Sequence, residues 1–164
     1  MHEPEPWLLW RYFEAPTGAA AAPPAHAVTA NFGDEIRLLG YNLSPETIHP
    51  GETFTLTFYW QAVKSLEADY NVFVHLYAPG DTNTPLAQSD GPPCQGTYTT
   101  SRMEADEIVI DERTLTLPSG FEAASATLGV GLYGWPSLER LPLTQAETRL
   151  PDERLQLAEI KITH

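Results

Sequence analysis

At 164 residues the chain is long enough for one domain with a core of its own, without metals or disulfides to staple it. Its 22 acidic against 9 basic residues give a formal charge of −13, a field that repels phosphate backbones and anionic lipid and so argues against nucleic-acid and membrane-surface partners. One cysteine, Cys94, leaves no intramolecular disulfide, while 4 Trp, 7 Tyr and 6 Phe supply too much buriable surface for a chain disordered throughout.

The N-terminal stretch carries a short aromatic run, Trp7-Leu8-Leu9-Trp10, behind the acidic Glu3 and Glu5. It lacks the basic lead and longer apolar stretch of a signal peptide, and no segment approaches the roughly 20 apolar residues of a membrane span. Residues 15–24 (Ala-Pro-Thr-Gly-Ala-Ala-Ala-Ala-Pro-Pro) have no apolar period and read as a linker. An N-terminal segment over 1–25 is therefore expected to lead into a folded domain over 26–164.

Strands follow. Residues 36–43 are apolar with Gly40 inside, which predicts a bulge or a close backbone approach. After the turn Pro50-Gly51-Glu52, residues 53–61 alternate: Phe54, Leu56, Phe58 and Trp60 point one way, and Thr53, Thr55, Thr57, Tyr59 and Gln61 the other. Residues 70–77 alternate too, with Tyr70, Val72, Val74 and Leu76 on one face. Further strands are expected at 86–89, 108–110, 113–117, 127–133 and 155–162, with turn signals such as Pro79-Gly80-Asp81, Asp90-Gly91-Pro92-Pro93, Pro118-Ser119-Gly120 and Trp135-Pro136 between them. No segment sustains a helical period, although 66–69 and 145–149 have room for a helical turn. The pattern predicts an all-β fold, an antiparallel β-sandwich of immunoglobulin-like or jelly-roll-like kind, with about seven to nine strands.

The strands at 53–61 and 70–77 are joined by about eight residues, a length compatible with a hairpin. Setting Phe58 opposite Val74 places Trp60 opposite Val72 and Leu56 opposite Leu76. The other face then carries Tyr59 beside Phe73, Thr57 beside His75, and Thr55 beside Tyr77.

The segment Asn31-Phe32-Gly33-Asp34-Glu35-Ile36-Arg37-Leu38-Leu39-Gly40-Tyr41 resembles the opening of a β-sandwich region at the C-terminal end of large bacterial membrane glycosyltransferase-like proteins, similar to the dolichyl-phosphate-mannose-type mannosyltransferases. The likeness continues in Pro50-Gly51-Glu52-Thr53, Leu56-Thr57-Phe58-Tyr59-Trp60, Phe73-Val74-His75-Leu76, Asp90-Gly91-Pro92-Pro93, Asp111-Glu112-Arg113 and Gly129-Val130-Gly131-Leu132-Tyr133. The resemblance implies a non-catalytic, extracytoplasmic module beside a membrane enzyme, and it carries over no catalytic residue. The chain departs from the pattern at Met103 and Asp106, where the family has a Trp and a Gly.

Two constellations invite a functional reading. Tyr59, Phe73, His75, Tyr77 and Thr57 would share one sheet face, where rings stack on sugars and polar neighbours bind hydroxyls; the plainer reading is a second core beneath another element. Glu104, Asp106, Glu107 and Asp111, with Glu112, supply oxygens of the kind calcium takes, but in no EF-hand order, and a solvated acidic face accounts for them as well. Asp81 and Asn83 read as turn formers, and the scattered histidines have no zinc spacing. Cys94 has no nearby Cys/His signature and reads as a structural thiol.

No catalytic residue is assigned and no cofactor is expected beyond calcium. The leading expectation is an accessory binding module that recognises glycan or holds a parent membrane protein. The alternative is a structural spacer or protein–protein domain without a small ligand. Glycoside hydrolysis, which needs two carboxyls facing across a cleft, is the remote third.

Overall fold

Apolar residues at every second position give a strand one dry face, and a dry face needs a second layer. The computed structural model, which describes residues 24–164 apart from 82, 97–98, 146–147 and 150, supplies that layer as two packed sheets. The Trp7–Trp10 run and residues 15–23 of the linker lie outside the described residues.

The strands are β1 (His26–Phe32), β2 (Ile36–Ser44), β3 (Thr47–Ile48), β4 (Thr53–Ala62), β5 (Tyr70–Tyr77), β6 (Ala87–Gly91), β7 (Ile108–Thr116), β8 (Ser125–Gly134), β9 (Leu143–Gln145), β10 (Thr148–Arg149) and β11 (Leu155–Ile162). One sheet has the order β10-β9-β1-β2-β4-β7, the other β3-β11-β8-β5-β6. Every pairing is antiparallel except the short β3–β11 contact. Three strands of two or three residues, β3, β9 and β10, carry the number past the expected range.

The core forms where the dry faces meet. Phe54, Leu56, Phe58 and Trp60 of β4 join Phe32, Ile36 and Leu38 on one side, and Val72, Val74 and Leu76 of β5 join Leu128, Val130 and Leu132 on the other. Each such side chain contributes roughly 1.5–3 kcal/mol by leaving water. Met103 is buried in this core, and Asp106 sits at φ 66°, a left-handed conformation that Asp tolerates.

Several expectations need correction. The strands at 53–61 and 70–77 are not a hairpin: β4 lies between β2 and β7, while β5 lies between β6 and β8 in the opposite sheet. Both edges of β4 are already taken, and its apolar face is better covered by a facing sheet than extended by a neighbour. The connection therefore crosses between layers, held where Thr100 Oγ1 donates to the Ala68 carbonyl and accepts from the Tyr70 amide. The expected strands at 108–110 and 113–117 are one strand, β7, because Asp111 and Arg113 share its inner face and pair. Of the two segments with room for a helical turn, 66–69 is irregular, and the described residues of 145–149 belong to the paired β9 and β10. At Gly40 both expectations are met, with a register shift between Leu38 and Gly40 and only 2.5 Å between an added Cβ and the His26 carbonyl oxygen.

Candidate functional site

Alternation on β5 turns Asn71, Phe73, His75 and Tyr77 away from the core, onto the outer face of the five-stranded sheet. In register, Phe73 stands between Gly131 of β8 and Asp90 of β6, and His75 between Gly129 and Gln88. The two glycines are what let side chains lie down across β8. A Cβ at Gly131 would fall 2.2 Å from Phe73 Cζ, and one at Gly129 would fall 2.6 Å from Arg154 Cδ.

Two arginines complete the face. The Arg140 guanidinium lies over the Phe73 ring at 4.4 Å, and that of Arg154 over the Tyr77 ring at 4.8 Å. Arg140 Nη1 donates to the Asp152 carbonyl at 2.7 Å, and Arg154 Nη1 donates to the Tyr77 hydroxyl at 3.1 Å. Between them, His75 Nδ1 meets the Tyr77 hydroxyl at 2.8 Å and its Nε2 lies 3.2 Å from Asp90. Phe73 and Tyr77 are in consequence only 2% and 4% exposed, so their ring faces are not open for stacking.

Above this layer lie two depressions that share Tyr77, Asp152 and Arg154. One, of about 440 Å³, is lined by His75, Asn83, Gln88 and Arg140. The other, of about 630 Å³, runs past Asp81, Gln145 and Gln156. Asp81 is itself engaged: the amides of Asn83 and Thr84 donate to its carboxylate and hold its pKa below the usual value.

The remaining residues of the expected strip stand elsewhere. Thr57 and Tyr59 are on β4, on the outer face of the opposite sheet. Tyr59 is buried with Ile108 against Leu39 and Ile110, its hydroxyl accepts from Asn42 Nδ2 at 3.0 Å, and burial pushes its phenol pKa up. A strip uniting all five side chains does not exist, because strands adjacent in sequence belong to different sheets.

The acidic cluster does not assemble either. Glu107 Oε1 accepts from the Glu104 amide at 2.9 Å, and Asp106 is held through its backbone, its carbonyl accepting from Gln61 Nε2. Asp111 is fully buried at the open edge between β6 and β7, where its carboxylate takes the Arg113 Nε–H at 2.8 Å and the Cys94 amide at 2.9 Å. The Arg113 guanidinium continues to the carbonyls of Ser89, Gly91 and Pro92 at 2.9–3.1 Å, so the pair closes one side of the sandwich. Among the described residues no three His, Cys, Asp or Glu side chains come together as a metal site, and the calcium expectation is withdrawn. Cys94, beside this pair, is pushed up to about 11 by burial first and Asp111 second, against the lowering effect of Arg113.

Sequence reasoning missed Arg140 and Arg154, which sit outside the central strand pattern. The available signal was Gly129-Val130-Gly131: glycines at alternate positions clear one face of a strand, here for an aromatic ring and an arginine stem.

No protein-family model and no curated protein sequence matches the chain. Among solved structures the chain is similar to the C-terminal domain of wzt, at a TM-score of 0.58 and 8% identity over 86% of this chain and 82% of that one. At that identity the likeness is one of fold, an all-β sandwich of two sheets. Looser likenesses, which add nothing to that conclusion, are to a Niemann-Pick type C2 protein from Japanese carpenter ant (TM-score 0.46, 8% identity, 85% of this chain and 97% of that one) and to Spo0M, a sporulation control protein from Bacillus subtilis (0.44, 12%, 83% and 50%).

Proposed function

We propose that this β-sandwich is a non-catalytic binding module that takes glycan on the outer face of its five-stranded sheet. The observation that carries the reading is the pair of arginines held over Phe73 and Tyr77 at the margin of a polar depression with His75, Asn83 and Gln88. Sugars present dense hydroxyl groups, and recognising them takes donors and acceptors whose positions are set in advance. Ring contacts and anchoring hydrogen bonds set them here. Recognition is polar, since the ring faces are already covered. The resemblance to the C-terminal region of membrane glycosyltransferase-like proteins supports an extracytoplasmic setting beside such a parent.

The test is an amide NMR titration of the chain with a panel of soluble oligosaccharides. Shifts clustered at Phe73, His75, Tyr77, Arg140 and Arg154 are expected. A panel that leaves this face unmoved would remove the reading.

A second reading, a docking module for its parent protein, draws on Trp135 and Leu138, each 61% exposed in the segment after β8. It expects self-association or parent binding that is lost in Trp135→Ser, read by sedimentation, with no response to sugar.

A further inference from the structure

We infer that the saccharide bound on this face carries an oxyanion, a carboxylate or a phosphate, seated at Arg140. The inference rests on the glycan-binding reading above and adds the charge of the ligand.

The chain has 9 basic residues against 22 acidic ones, yet two of the nine lie over rings of β5 and line one depression with His75. Their setting is unlike that of Arg113, whose guanidinium is saturated by a carboxylate and three carbonyls inside the fold. The Arg140 side chain is exposed and, among the described residues, makes one hydrogen bond, to the Asp152 carbonyl. A guanidinium carries five N–H donors in a fork that matches two oxygens of a carboxylate or phosphate, so Arg140 retains most of its capacity. Arg154 reaches the same depression with its stem laid across Gly129.

Among the described residues no carboxylate pairs with the Arg140 guanidinium. Asp90 faces His75, the Asp81 carboxylate is taken by two backbone amides, and Glu153 accepts from the Leu143 amide. Asp152 meets Arg140 through its backbone carbonyl. The remaining negative charge of the chain acts over longer distances, and about 8 Å of physiological electrolyte screens it. A long polyanion would still feel the net −13, whereas a short saccharide with few oxyanions would feel it little.

The experiment titrates the chain with trigalacturonate, its fully methyl-esterified form, mannose 6-phosphate and mannose, reading amide shifts and Kd in the parent sequence and in Arg140→Gln. Trigalacturonate or mannose 6-phosphate is expected to shift the β5 face, and which of them binds tells carboxylate from phosphate. Loss of the charge, by esterification or by use of plain mannose, should weaken binding at least about tenfold, as should Arg140→Gln, the worth of one charge-assisted hydrogen bond. Arg140→Gln should weaken the charged forms more than the neutral ones, and an equal loss on both would overturn the inference. Neutral forms bound as tightly as charged ones would overturn the inference while leaving the glycan face standing. If neither charged nor neutral sugars move the face, both fall together.

Discussion

Two regions of this sandwich hold arginine against the sheet framework in different ways. At the open edge between β6 and β7, Arg113 is buried with Asp111, and every contact it makes is internal. On the outer face of the other sheet, Arg140 and Arg154 rest over rings, the Arg154 stem across Gly129, and both line a depression. Taking a charge out of water costs several kcal/mol, which a buried pair recovers only when its hydrogen bonds are complete; such a pair specifies an arrangement more than it stabilises one. An exposed cation over a ring, as Arg140 is, costs little to keep and leaves its outward N–H groups to a partner. The first region therefore reads as architecture, and the second as a surface kept ready for a partner.

The largest effect expected is at the closed edge. Asp111→Ala would leave Arg113 buried without its carboxylate and should cost about 3–5 kcal/mol in urea unfolding. A loss below about 1 kcal/mol would place Arg113 among the solvated arginines and erase the contrast.

The same network predicts an inert thiol. With its pKa raised from 9.0 to about 11, Cys94 should react with iodoacetamide at pH 8 about a hundredfold more slowly than an ordinary cysteine. The folded thiol keeps its proton between pH 9.0 and about 11, where the unfolded one has lost it, so this group makes stability fall as pH rises through that window and not below it. Alkylation at the rate of a free cysteine would mean that the edge opens readily.

On the outer face the effects are smaller. Gly131→Ala would drive a methyl group into the Phe73 ring and should cost about 1–3 kcal/mol in thermal unfolding, with altered ring-current shifts near Arg140. Arg140→Gln should lower stability by only about 0.5–1 kcal/mol, the worth of an exposed cation over a ring. If it proves as damaging as Asp111→Ala, Arg140 is architecture too, and the functional reading loses its distinctive residue.

Much of the sandwich was legible before any coordinates. The 53–61 and 70–77 strands begin where the alternation begins, and the residues assigned to their apolar faces are those in the core, with Tyr70 at its margin. Gly40 announced its bulge because a missing side chain inside an apolar run needs a reason. The pair Asp111-Glu112 misled, because two acids in succession break the apolar pattern between 108–110 and 113–117; the compensating Arg113 lies at i+2 from Asp111, on the same strand face, which only matters once the strand is known to continue. Arg140 and Arg154 were invisible as site residues, since neither follows a periodic pattern and each acquires meaning from a ring far away in the chain.

By itself the sequence determined which face of each central strand is dry, because a period of two is written residue by residue and needs no knowledge of neighbours. Only the tertiary structure decided which strands lie side by side. Alternation says that a face must be buried but not against what, and Phe58 satisfies that demand equally well across a sheet or across a sandwich. That choice sent Tyr59 and Phe73 to opposite sides of the molecule and brought Arg140 and Arg154 over β5, because contacts between distant segments are settled by the packing of whole layers rather than by local pattern.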